Sequence, residues 1–208
     1  SVTNQKRSGR CWLFAALNLF RVGAMKKLNV KEFEFSQAHT HFWDKFERAN
    51  HFLETIIDRA DMSIDDRTTH FMLRDPIGDG GQWNMAMNLI RKHGLVPQAA
   101  YPESHSSSET RYMNATLKEL LRTAASELRA RIEAGASADE IQAHKETRMA
   151  DIWRVLCIHL GTPPERFDWQ WRDKDKEFHR AGSMTPQEFV AEYVTIDWED
   201  YVCLVHDP

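Results

Sequence analysis

Residues 5–27 read QKRSGRCWLFAALNLFRVGAMKK, a short polar turn running straight into a strongly apolar stretch. Leu13, Ala16, Phe20 and Ala24 recur at three-to-four spacing, which predicts a helix from Cys11 to about Lys27 buried on most of its sides. Ser8 and Gly9 supply the turn in front of it. A thiol in the first turn of such a helix sits among free N–H groups at the positive end of the helix dipole, where thiolate is favoured over thiol. Cys11 occupies that place. Gln5, six residues upstream, carries an amide that can reach back across the Ser8-Gly9-Arg10 turn and donate to an oxyanion beside the sulfur, with the backbone N–H of Cys11 as second donor. An isolated buried cysteine is more often an inert apolar residue, so the weight rests on Gln5, Gly9 and Trp12 standing with Cys11 as Q-x-x-x-G-x-C-W.

Beyond this stretch the chain is helix-rich. Ser36 is a good cap for a second helix carrying Phe42, Phe46, Ala49, Leu53 and Ile56 or Ile57, with His39, His41 and His51 riding on it. DPIGDGG (75–81) must be a loop, followed by a helix from Gln82 to His93 closed by Gly94. Ser104 to Ser108 reads as a polar linker. Tyr112 to Ala134 is a long charged helix with a Leu117, Leu120, Leu121, Leu128 and Ile132 stripe. A capping box, Ser137 with Glu140, opens the next helix, which runs through Ile152, Val155, Leu156 and His159 to Gly161, and the short connection makes the two an antiparallel hairpin. Phe167, Trp169 and Trp171 alternate as in a strand. Thr185 and Glu188 form another capping box around Pro186, and a strand-like pattern returns only at Tyr201 to Val205.

The 208 residues are 42% hydrophobic and 28% charged, an ordinary globular composition. A net charge of -4 gives no general reason to bind nucleic acid or an anionic membrane, and no apolar run approaches the roughly 20 residues of a bilayer span. Cys11, Cys157 and Cys203 are odd in number and far apart, which fits a reducing cytoplasm; the latter two read as inert core residues. Both ends look abrupt, so the chain reads as a fragment of a longer protein.

The segments VTNQKRSGRCWLFAALN, KKLNVKEFEFSQAHTHFWDKFERAN, DGGQWNMAMNLIRKHGLVP, AYPES and RDKDKEFHRAGSMTPQEFV follow in order along essentially the whole chain, and together they resemble the bleomycin hydrolase/aminopeptidase C branch of the papain-type cysteine peptidases. The resemblance implies an α+β papain-like fold, here mainly its helical domain. Residues 1–103 would be that domain, 104–165 an inserted helical hairpin, and 166–208 the start of a truncated β-rich domain. It implies Cys11 as nucleophile, Gln5 as oxyanion donor, Trp12 bordering the site, and Gly80 and Gly81 lining the cleft so that an extended substrate backbone can lie alongside. Asp79 beside them stands where it could tune the cleft. Secreted papain-type enzymes pair a cysteine three residues before the nucleophile with another in the Gly-Gly loop; here those positions are Ser8 and Gly78.

The resemblance further implies an aminopeptidase acting on peptides, a homo-hexamer with no cofactor, and a catalytic His and Asn beyond Pro208. His144 and His159 fall roughly 130 to 150 residues after Cys11, where papain places its base. Both lie in helices, whereas the family's base comes from a strand-rich region, so they are taken as decoys. His39 and His41, two apart on a helix, point to different faces and suggest no metal. The competing reading is a non-catalytic helical scaffold or interaction module.

Overall fold

The computed structural model describes residues 3–202 and residue 204. α1 (Cys11–Leu28) buries Leu13, Leu17, Phe20 and Ala24. It ends at Asn29, which takes the left-handed conformation (φ 55°) while its amide and that of Val30 return hydrogen bonds to the carbonyls of Lys26 and Met25. α2 (Gln37–Asp58) starts at Ser36, whose Oγ accepts from His39 N. There follow α3 (Arg67–Arg74), α4 (Trp83–His93), α5 (His105–Ser108), α6 (Arg111–Glu133), α7 (Ala138–Leu160), the antiparallel strands β1 (Phe167–Arg172) and β2 (Phe178–Met184), and α8 (Pro186–Tyr193). The Ser137/Glu140 and Thr185/Glu188 capping boxes are both formed, the latter with Pro186 in the first turn.

Two apolar cores hold these elements. One joins α1, α4, β1 and α8 through Leu13, Phe20, Ile90, Trp169 and Phe189, with the Phe189 ring 5.4 to 6.0 Å from those of Phe167, Trp169 and Phe35. The other joins α2, α6 and α7 through Phe42, Phe52, Leu117, Leu121, Leu128, Ile152 and Leu156. α2 spans both, since Ala38 packs in the first and Phe42 onward in the second. Burial of each such side chain contributes on the order of 2 kcal/mol, and together they carry the loops between α1, α2 and α4 as a fixed frame.

Four segments depart from the expectations. The 104–108 segment is no simple linker: Ser104 and Ser107 cap each other and close the single turn of α5. α3 has an N-cap, Asp66, and only eight residues, of which Thr69 is buried while Met72 and Leu73 pack at the edge of the second core. β2 (FHRAGSM) lacks clean alternation, because its pairing with β1 shifts register between Trp169 and Gln170 and its burial is irregular. At the C-terminal end, Trp198–Asp200 is a 3-10 turn, and Tyr201, Val202 and Leu204 form no strand. Cys203 and Val205, also part of that expected strand, lie outside the described residues.

Candidate active site

Cys11 is the first residue of α1 and is exposed. Arg10 at the N-cap makes no side-chain capping bond, and the first turn holds no acidic residue. The amides there are therefore not claimed by a side chain of the helix's own entry. Ala15, Leu19 and Val22 continue an exposed stripe down α1 from Cys11, while Leu13, Ala16, Leu17 and Phe20 face the core.

The turn before the thiol is held from inside. The Arg10 side chain is 0% exposed. Its Nε donates to Ser8 Oγ at 2.8 Å, and its two terminal nitrogens fork onto Glu103 at 3.0 and 2.8 Å. Ser8 Oγ in turn donates to the carbonyl of Gln5 at 2.6 Å, so a single hydroxyl links the guanidinium to the backbone of Gln5. On the far side Arg7 N donates to the carbonyl of Ser108 at 2.9 Å, which fastens the same loop to α5. Gln5 is half-buried, with Oε1 shielded and without a hydrogen-bond partner among the described residues.

The facing wall is the 78–82 loop. Trp12 Nε1 donates to the carbonyl of Asp79 at 2.8 Å, and the Trp12 ring lies so close to Gly81 that a Cβ there would stand 2.6 Å from it. The close approach that requires glycine at 81 is therefore made by Trp12. Gly80 is different: nothing lies within 4 Å of the position a Cβ would take, and its carbonyl accepts from Arg48 at 2.5 Å. The Arg48 guanidinium also sits 5.9 Å from the Trp12 ring.

Asp79 joins the two walls. Its Oδ2 accepts from Gly9 N at 3.3 Å and Thr110 Oγ1 at 2.6 Å; its Oδ1 accepts from Asn114 Nδ2 at 2.8 Å and from Lys45 Nζ. Lys45 Nζ donates as well to the carbonyl of Gly78 at 2.6 Å. Gly9 must lack a side chain because its Cβ would stand 2.7 Å from that of Asp79. Burial opposes ionisation of Asp79, but the Lys45 ammonium and the hydrogen bonds more than offset it and hold the carboxyl well below its usual range. For Lys45, burial pulls the pKa down and the Asp79 carboxylate resists. A sequence signal existed: Lys45 falls on the apolar stripe of α2 between Phe42 and Ala49, where a lysine needs a buried partner.

The rest of the polar group on α2 is structural in its bonding. Burial, then His93, lowers His39 to about 3, and its Nε2 accepts from Trp43 Nε1 at 3.2 Å. His41 is fully buried, with neither ring nitrogen partnered among the described residues, and burial with the nearby Lys45 and Arg10 cations drives its pKa well below the ordinary value. Burial pushes Asp44 up to about 6 against the pull of Arg48, whose Nε donates to it at 2.8 Å. His144 is engaged by Glu127 and His159 by Ser106, each at 2.8 Å, within the hairpin region. Cys157 is half-buried on α7, and Cys203 lies outside the described residues. Among the described residues no three His, Cys, Asp or Glu side chains are grouped so as to hold a metal ion, and no helix is long and apolar enough to cross a membrane.

A helical domain whose buried helix opens on an exposed cysteine, flanked by a glycine-containing turn and a Gly-Gly loop, has the papain-like cysteine peptidase fold. The chain belongs to the peptidase C1-like family, whose model matches residues 1–208. It is 46% identical over 211 residues to bleomycin hydrolase of Oryctolagus cuniculus, covering all of this chain and 76% of that one. Against bleomycin hydrolase of Homo sapiens the identity is again 46% over 211 residues, covering all of this chain and 46% of the relative. Aminopeptidase C of Lactococcus lactis is 46% identical over 208 residues, with the same coverages of 100% and 46%. The crystal structure of PepW from Lactobacillus rhamnosis HN001 superposes with a TM-score of 0.94 at 44% identity, covering 96% of this chain and 45% of that one. The chain thus spans about half the length of most of these relatives.

Proposed function

We propose that this chain is the nucleophile-bearing part of an intracellular cysteine aminopeptidase that removes residues from the N-termini of peptides. The Cys11 thiolate attacks the scissile carbonyl carbon, and the oxyanion of the tetrahedral intermediate is held by the Gln5 amide and the Cys11 N–H. Collapse breaks the C–N bond; the departing amine takes its proton from a histidine, and water then attacks the thioester to free the acid and regenerate the thiolate. That histidine, and the Asn that orients it, belong to sequence after residue 208. Gly80 offers its open side to the substrate backbone, with Gly81 beside it and Trp12 bordering the cleft. Residues 1–103 form the helical wall, 104–165 the inserted hairpin and 166–208 the entry to the strand-rich domain. The exposed apolar stripe of Ala15, Leu19 and Val22 gives that domain a surface on which to bring its histidine toward Cys11. The full-length protein assembles as a homo-hexamer.

The observation that carries this reading is the exposed Cys11 at the first position of a core helix whose entry no side chain caps. The test is release of a fluorophore from an aminoacyl-coumarin by residues 1–208 and by the gene product extended past Pro208, each with and without a thiol alkylator. We expect activity in the extended protein only, stopped by alkylation and by Cys11→Ala. Activity of a purified extended Cys11→Ala variant overturns the assignment, and inactivity of both proteins favours a non-catalytic scaffold.

A further inference from the structure

We infer that Asp79, held by the buried Lys45, is a positioning residue for the reaction: it sets Cys11 and the 78–82 loop relative to one another. The inference rests on the peptidase reading above.

A single carboxylate receives the backbone of the nucleophile's turn at Gly9 and two side chains that begin α6, Thr110 and Asn114, and it binds Lys45 from the middle of α2. The backbone carbonyl of the same residue receives Trp12, one position after the nucleophile. Lys45 then reaches the neighbouring carbonyl of Gly78, so the ammonium grips the loop at two successive residues. Thiol turn, cleft loop and two helices from the second core thus meet on one side chain and its ion-pair partner. Asp79 reaches Cys11 only through Gly9 and Trp12, which is why its role is positional.

The arrangement also explains a substitution of means. Ser8 and Gly78 stand where papain-type enzymes carrying a disulfide have the cysteines that fasten the same turn to the same loop. Here Gly9 and Asp79, each the next residue along, make a hydrogen bond, and Lys45 makes the loop side of it rigid. Such a link needs no oxidising compartment. Each Asp79 oxygen accepts two donors, so an amide in its place cannot satisfy all four and leaves the Lys45 ammonium buried without its counter-charge.

The experiment uses the full-length protein and compares wild type with Asp79→Ala, Asp79→Asn and the paired Lys45→Gln/Asp79→Asn variant, in which an amide-to-amide bond replaces the ion pair. Readouts are kcat and KM on an aminoacyl-coumarin per titrated active site, the rate of inactivation by iodoacetamide, and circular dichroism. A displacement of the reacting groups by a fraction of an ångström predicts that kcat falls about 30-fold in the single variants with KM within about threefold, and that inactivation slows in parallel. The paired variant is expected to recover at least about threefold of the lost kcat. A folded Asp79→Asn protein with kcat and inactivation rate within about twofold of wild type overturns the inference. So does a loss confined to thermal stability, or failure of both the Asn and the paired variants to fold, since either assigns Asp79 to stability alone. An inactive wild type, or an active Cys11→Ala control, instead rejects the underlying peptidase reading.

Discussion

α1 and α7 are both long helices that begin immediately after a turn, yet their first turns are built in opposite ways. α7 opens with a complete capping box, Ser137 and Glu140 each satisfying the other's backbone, and places Asp139 and Glu140 against the positive end of the dipole. α1 opens with neither device: its cap is a buried arginine turned away toward Ser8 and Glu103, and its first residue is an exposed thiol. Lack of a capping bond is not by itself diagnostic, since α4 and α6 lack one as well. The distinguishing fact is that the free end of α1 meets an exposed thiol while its loops are tied by buried charges. α7 is stabilised where it starts; α1 leaves its start available and moves the stabilisation one layer inward.

The largest break of that contrast is Arg10→Met. A neutral side chain of similar length keeps the volume but takes the guanidinium from Ser8 and leaves Glu103 with Ser107 Oγ as its donor and no counter-charge at its side. Removal of one partner from a buried pair predicts a loss of about 3 kcal/mol in urea unfolding, toward the low end of the usual range because Glu103 is 26% exposed. Turnover in the full-length protein should fall with it, because the Ser8 link to Gln5 loosens. Unchanged stability would show that the inner layer is ornamental to α1.

Gln5→Ala sharpens the contrast instead, since it removes a proposed donor while leaving the Arg10, Ser8 and Glu103 bonds in place. In the full-length enzyme we expect turnover to drop roughly 100-fold or more with a smaller change in KM, as for other lost oxyanion donors. Equal turnover in wild type and variant would take Gln5 out of the mechanism.

The same contrast explains what was legible in the sequence. Helix ends stabilised by local chemistry could be read directly: Ser36, Ser137 with Glu140, and Thr185 with Glu188 are all used as their spacing foretold. So could the apolar periodicity of α1, α2, α6 and α7, and the alternation of Phe167, Trp169 and Trp171. α3 escaped because its eight residues are too few to display a helical period, and β2 because a register shift breaks its alternation. For the site, the local string around Cys11 was plain, but the role of Asp79 was not. Its partners Gly9, Lys45, Thr110 and Asn114 lie up to 70 residues away along the chain, so no spacing rule joins them. Position 81 shows the same effect: a Cβ there would stand 2.6 Å from the Trp12 ring, a contact across 69 residues that no spacing in the loop announces.

The smallest effect belongs to the well-capped end. Ser137→Ala removes the hydroxyl that accepts from Glu140 N and donates to the Glu140 carboxylate, but the cap is on the surface and the rest of α7 is held by Ile141, Ile152 and Leu156. A loss of about 1 kcal/mol in urea unfolding is expected, typical of a cap, with kcat and KM in the full-length enzyme unaltered. The two helices then differ in kind: damage at the start of α7 is read in stability alone, whereas damage beneath the start of α1 is read in stability and turnover together. If Ser137→Ala lowered kcat per titrated site, α7 would have to transmit to the thiol. Its path would be α5, which packs between the hairpin and the Gln5 loop through the His159 to Ser106 and Arg7 to Ser108 hydrogen bonds.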